Sequence, residues 1–150
     1  MRRWNRWGSD EEGAAALEFI VTGLLLLVPM VYLVVALGGI QEQTLGAEAA
    51  ARHTARVIGQ APDAPTALAR AETVLAGVVE EYGMDPERTT LSMRCEPRVS
   101  PCPAAGATVI VVVSTRASLP LVPDVLGLAE VAGVPIEASA AQKVSRLWER

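Results

Sequence analysis

No charged residue occurs between Phe19 and Ile40. A helix over that run of about 22 residues, rising about 1.5 Å per residue, is roughly 33 Å long, enough to cross the hydrocarbon core of a bilayer. A buried core helix rarely sustains an uncharged apolar run of this length, so the run predicts a membrane span. Pro29 falls within it, where a membrane helix tolerates a kink. Arg2, Arg3 and Arg6 precede the run, whereas beyond it the first basic residue is Arg52, after Glu42 and Glu48. Counting basic residues, as the positive-inside rule does, places the N-terminus in the cytoplasm and residues 41–150 outside.

The start of the chain has three readings. A secretory signal needs an apolar region of about 7–15 residues with a small-x-small cleavage site close behind. Here the run is longer, and Ala47-Glu48-Ala49 and Ala49-Ala50-Ala51 come well past its end. An uncut single-pass anchor is the second reading, with Glu18 at the cytoplasmic interface reaching back to water. The third uses every residue of the stretch: a basic, polar leader ends in Gly13, followed by Ala14-Ala15-Ala16, Leu17, Glu18 and Phe19 directly before the span. That order resembles the signal cut by prepilin peptidases in type IV pilin-like proteins. The resemblance implies cleavage between Gly13 and Ala14 on the cytoplasmic side, with the apolar segment kept in the mature chain and Glu18 fifth from the new N-terminus.

The physics of the third reading is specific. Cleavage creates a positive α-amine on Ala14 at the membrane edge. The Glu18 carboxylate of an adjacent copy can pair with it and offset two desolvation costs that neither group offsets alone. A glycine before the cut gives a peptidase an unencumbered backbone.

Beyond the run, Gln41–Ile58 is alanine-rich and lacks proline, so the helix is expected to continue through it. Gly38, Gly39 and Gly46 are weak points in that helix, each costing about 1 kcal/mol relative to alanine. His53, the single histidine, has no evident chemical partner and reads as a solvated helix residue. Breakers in Gly59–Pro65 end the helix. A second one is expected from about Thr66 to Tyr82, with Leu68, Ala71, Leu75, Val78, Val79 and Tyr82 as its apolar stripe, Pro65 at entry and Gly83 at exit. The period then changes to two. Leu91, Met93 and Cys95 alternate with polar residues, which marks a half-buried strand. Val109–Val113 is an unbroken β-branched run, expected at the centre of a sheet. Val125–Val131 reads as a short helix. Residues 136–147 alternate small or apolar with polar residues and are expected to form a last strand, with a helix as the rival because alanine is common.

Cys95 and Cys102 are the two cysteines. Outside the cytoplasm a nearby pair is expected to form a disulfide rather than a metal or redox site. It would close a short loop where the first two strands connect. Net charge is −4 and no basic block lies beyond the leader, so nothing indicates nucleic acid. There is no set of residues for nucleophilic catalysis, no glycine-rich phosphate loop and no metal-ligand spacing. The chain is expected to be non-enzymatic, with no cofactor and no metal.

Taken together, the N-terminal signal and span, the valine-rich strand and the closing Val134–Leu147 stretch resemble the TadE-like family, minor pilin-like proteins of Flp (tight adherence) pilus systems. The resemblance covers about residues 13–60 and 107–147, and the middle is generic. Asp10-Glu11-Glu12, just before the glycine, departs from the family's basic leader. What the resemblance implies is a substrate of a prepilin peptidase that assembles or primes an Flp-type pilus or a related secretion apparatus, with the membrane, other pilin subunits and the assembly machinery as partners. The expected fold is α+β, with a leader over 1–13, a transmembrane helix over 14–40 and an extracytoplasmic pilin-like domain over 41–150 that holds one further helix and an antiparallel sheet of about three strands. An uncleaved membrane-anchored scaffold or adaptor with an extracytoplasmic domain is the other reading of the same topology.

Overall fold

A computed structural model describes residues 9–120 and 132–146. Helix α1 spans Ser9–Gln60 and α2 spans Ala64–Glu81. Strands β1 (Thr90–Glu96), β2 (Thr108–Ala117) and β3 (Val134–Lys143) form one antiparallel sheet in the order β1-β2-β3. The α+β layout expected from the sequence is present. The chain divides into two compact units between Leu37 and Gly38, and each is described by itself.

In the first unit α1 is apolar on every side. Leu17, Phe19, Leu25 and Leu26 are each at least 65 % exposed. A soluble helix sheds its large side chains into a core, whereas one that is apolar all round is suited to lipid. This helix is long and apolar enough to cross a membrane. Pro29 lies inside it without ending it.

In the second unit α1 changes character. Ala47, Ala50, Ala51, Ala55 and Ile58 are buried, in a 3-and-4 spacing that keeps them on one face. They share a single core with Ala67, Ala71, Val78 and Val79 of α2 and with Val109, Val111, Val113 and Ala117 of β2. Small residues dominate the helical side of that core, so neighbouring groups can approach the α1 backbone closely. Gly46 shows how closely: a Cβ built there would lie 2.7 Å from Tyr82 Cβ. The glycine that the sequence presents as a weak point is therefore a packing requirement. Gly46→Leu puts a better helix former at the position, yet forces the Tyr82 stem aside. It is expected to destabilise the unit by roughly 1–3 kcal/mol, read as a lowered urea midpoint.

Helix α2 is defined at both ends by local chemistry. The Thr66 backbone N–H donates to Asp63 Oδ1 at 2.8 Å, an N-cap. That bond, then a second from the Thr66 side chain, holds the Asp63 pKa below its usual value. At the other end Gly83 takes φ +57°, its N–H donates to the Glu80 carbonyl and that of Met84 to the Val79 carbonyl. This paired closure is a Schellman motif, which needs a left-handed residue and hence favours glycine. One sequence expectation fails here. Leu68 is 42 % exposed and Ala67 is fully buried in its place. The rest of the expected stripe holds, with Ala71, Val78 and Val79 buried and Leu75 and Tyr82 half-buried, so only its first position moves, from Leu68 to Ala67.

The turn after α2 is tied together by Asp85. Its side chain accepts from the Glu87 N–H at 2.9 Å and pairs with Arg88 Nε at 3.1 Å, and its carbonyl accepts from Thr89 Oγ1. Thr89 also shares a hydroxyl contact with the buried Thr115 of β2, at 3.0 Å.

Strand β2 is central, as its β-branched run predicts, with one face buried at Val109, Val111 and Val113 and the other half-buried at Ile110 and Val112. Strand β1 buries Cys95 and half-buries Leu91 and Met93, following the period of two. The last element is a strand and not the rival helix. It starts at Val134, earlier than expected, and ends at Lys143, although the Val144 N–H still donates to the Ala107 carbonyl at 2.8 Å. The expected leader residues 1–8 and the expected helix over 125–131 lie outside the described residues.

Candidate processing and assembly site

Gly13, Ala14 and Glu18 all lie in α1, near its start at Ser9. Ala14 and Glu18 are four residues apart, one helical turn, so they share a face with about 6 Å of rise between them. Both are exposed. Glu18 makes no hydrogen bond or ion pair among the described residues. Its carboxylate thus stands beside a run in which Phe19, Ile20 and Val21 are exposed and apolar. A carboxylate so placed has two physical solutions. It can stay at the water interface, or it can meet a cation from another molecule. If the chain is cut after Gly13, the new amine and Glu18 both fall in the first turns of the shortened helix. There the helix dipole favours the acid and disfavours the amine. The amine is therefore the group that gains from an outside carboxylate.

Cys95 and Cys102 are brought together and bonded, with Cα atoms 5.8 Å apart. Cys95 sits in β1 with its side chain buried, and Cys102 lies in the loop that leads to β2. The bond pins the proline-rich loop 97–107 to the strand it leaves. Gly106 closes that loop with φ +75° and donates its N–H to the Ser145 carbonyl. Cys95→Ser with Cys102→Ser is expected to cost roughly 2–3 kcal/mol, the loop-closure value for so short a ring. Urea unfolding of the full chain in detergent, with the wild type measured oxidised and reduced, checks this.

The sequence reading did not find a second surface feature, an open groove of about 820 Å³ on the sheet, lined by Arg88, Thr90, Ser114, Arg116, Pro135 and Glu137 among others. Strand register makes it: Thr90 pairs with Ser114 and Ser114 with Glu137, so one polar row crosses all three strands. Ser114 and Thr115 read as sheet-face groups in the sequence, and nothing local signals that Thr90 and Glu137 join them. Among the described residues the groove holds no nucleophile and base in contact. Among the described residues no group of three or more His, Cys, Asp or Glu converges. His53 is exposed on α1. Comparison of the chain with protein-family models, curated proteins and solved structures finds no match.

Proposed function

We propose that this protein is a TadE-like minor pilin-like subunit: a structural protein, processed by a prepilin peptidase, that assembles or primes an Flp-type pilus or a related secretion apparatus. One observation carries the reading. Gly13, Ala14 and Glu18 stand in order on a helix that runs directly into an exposed apolar stretch, and Glu18 has no partner among the described residues. An anchor alone does not need that acid.

In this reading the N-terminus is cytoplasmic, residues 41–150 are extracytoplasmic, and the span stores the subunit in the cell membrane. Cleavage after Gly13 frees the Ala14 amine. An assembly motor then moves the helix from lipid into a bundle of neighbours, where Glu18 of one copy meets the amine of the next and fixes the axial register. Gly23 and Gly38 carry no neighbouring atom within 4 Å of a built Cβ, so a partner helix can approach at either. The disulfide-pinned domain decorates a filament tip or caps an assembly complex.

The mature N-terminus tests this. Sequencing of protein extracted from the membrane should begin at Ala14. A start at Met1 would instead favour the uncleaved scaffold or adaptor, a reading that the acidic Asp10-Glu11-Glu12 before the glycine supports. Glu18→Gln should still be cut but should fail to join its neighbours. Normal assembly of that variant would end the electrostatic account and leave the cleavage account standing.

A further inference from the structure

Strand β3 is an edge. Its inner neighbour is β2, and among the described residues its other side pairs with nothing. Among the described residues, none from Val134 to Lys143 has any further hydrogen bond or ion pair. It is also long, at 10 residues. Long open edges are templates for another strand, and proteins blunt them with bulges, prolines or charged side chains, which a partner of complementary charge can neutralise. Here the register with β2 runs unbroken from Thr108–Lys143 to Ala117–Val134, with no bulge, and the one proline, Pro135, is near the start. The centre, Ala138 to Ala141, is small side chains only.

The occupant is chosen by charge. On the outer face of β3 stand Pro135, Glu137, Ser139, Ala141 and Lys143, all exposed. Glu137 and Lys143 are the only charges among them, and neither has an ion pair among the described residues. Their partners across the β2 ladder are Ser114 and Thr108, which offer no charge. Two copies of β3 pairing antiparallel about Ala140 place Glu137 of each opposite Lys143 of the other, and Ser139 opposite Ala141. Side-chain alternation permits only shifts of two residues, because a shift of one turns the faces over. Of the permitted shifts, only the Ala140-centred one neutralises both charges twice. Centring on Glu137 or on Lys143 sets like charges face to face, which is destabilising. The other edge, β1, does not offer this. Its Arg94 and Glu96 come opposite only when the pair is centred on Cys95, near the strand's end, where three residues overlap.

We propose that β3 is a self-recognition edge through which two copies of this chain join their sheets, antiparallel about Ala140, into one six-stranded sheet. An edge pair alone buries less than the roughly 1,600 Å² of an ordinary stable interface. The contact is therefore weak between dilute molecules and strengthened where copies are held close together. It does not depend on whether the leader is cut or on the role of Glu18.

The test uses the full chain in detergent and in lipid nanodiscs holding two copies. Protein carrying Ser139→Cys, mixed with protein carrying Ala141→Cys, should form a disulfide-linked heterodimer on oxidation. Opposite Cα atoms in such a ladder lie about 4.5–5.5 Å apart, within reach of a disulfide. Either variant alone should link several-fold less, since its cysteines then sit on a diagonal about 7–8 Å apart. The native cysteines do not interfere, because both are bonded. Glu137→Lys alone, and Lys143→Glu alone, should each raise the dimer Kd roughly ten- to thirtyfold, and the double variant should restore it to within about threefold. Recovery in the double variant cannot come from misfolding. The proposal is overturned if single reversals leave association unchanged, as they would in a dimer held by the apolar helices alone. It is also overturned if the double variant stays weak, or if position 139 links to β1 instead of to position 141.

Discussion

Gly13→Leu should leave every copy of the chain at full length, with no species beginning at Ala14 in the membrane fraction, and should abolish incorporation into any assembly. On the proposed reading the effect is all-or-none, because the substitution would act on a covalent step. A peptidase must draw the bond after residue 13 out of the helix and into extended contact, and a branched side chain there obstructs the approach that glycine leaves open. Folding gives no competing explanation. Gly13 lies inside α1, where leucine is the better helix former by about 1 kcal/mol. The variant should therefore be at least as helical as the wild type, which circular dichroism can verify on the same sample. Intact mass measurement of the extracted protein reads the result. If wild type and variant have the same N-terminus and assemble alike, the processed-subunit reading fails and the anchored scaffold takes its place.

Features set by neighbours in sequence were legible before the fold was known. Ala14 and Glu18 share a face because they are one turn apart, a relation that needs no tertiary structure. The apolar run, the Pro65 entry and Gly83 exit of α2, and the two-residue period of β1 are equally local. The disulfide is expected from two nearby cysteines on the side of the span read as extracytoplasmic. Features set by distant residues were not legible. Gly46 looks like a flaw in a helix until Tyr82 is placed against it. Gly59 is similar, since a built Cβ there would lie 2.5 Å from Gln142 Cγ, a contact between the end of α1 and β3. Ala67, not Leu68, opens the packed stripe of α2, a choice that the surrounding core makes and no periodicity encodes. The polar groove and the open β3 edge both depend on strand register, which fixes the partners of Ser114 and sets Glu137 and Lys143 opposite the uncharged Ser114 and Thr108.

The second large effect separates two adjacent, chemically identical residues. Val111 is fully buried and Val112 is half-buried on the opposite face of β2. In the sequence both sit in the β-branched run Val109–Val113, and a continuous apolar strand gives no hint of which side faces the helices. The fold does, because Val111 lies in the same core as Ala50, Ala55 and Ala71. Val111→Asp is therefore expected to remove at least about 4 kcal/mol. It loses the valine's burial, roughly 1.5–3 kcal/mol, and adds the larger cost of a carboxylate with no partner in an apolar core. A domain of this size has on the order of 5–15 kcal/mol of stability, so the second unit should be largely or wholly unfolded. Val112→Asp keeps its charge at the half-exposed face and should lose closer to about 1 kcal/mol, mostly strand propensity. Limited proteolysis of the two variants in detergent distinguishes them: rapid loss of residues 41–150 for Val111→Asp, near wild-type resistance for Val112→Asp. Equal sensitivity would mean that β2 does not present alternate faces to core and surface. In that case the register on which the groove and the β3 edge both depend would have to be redrawn.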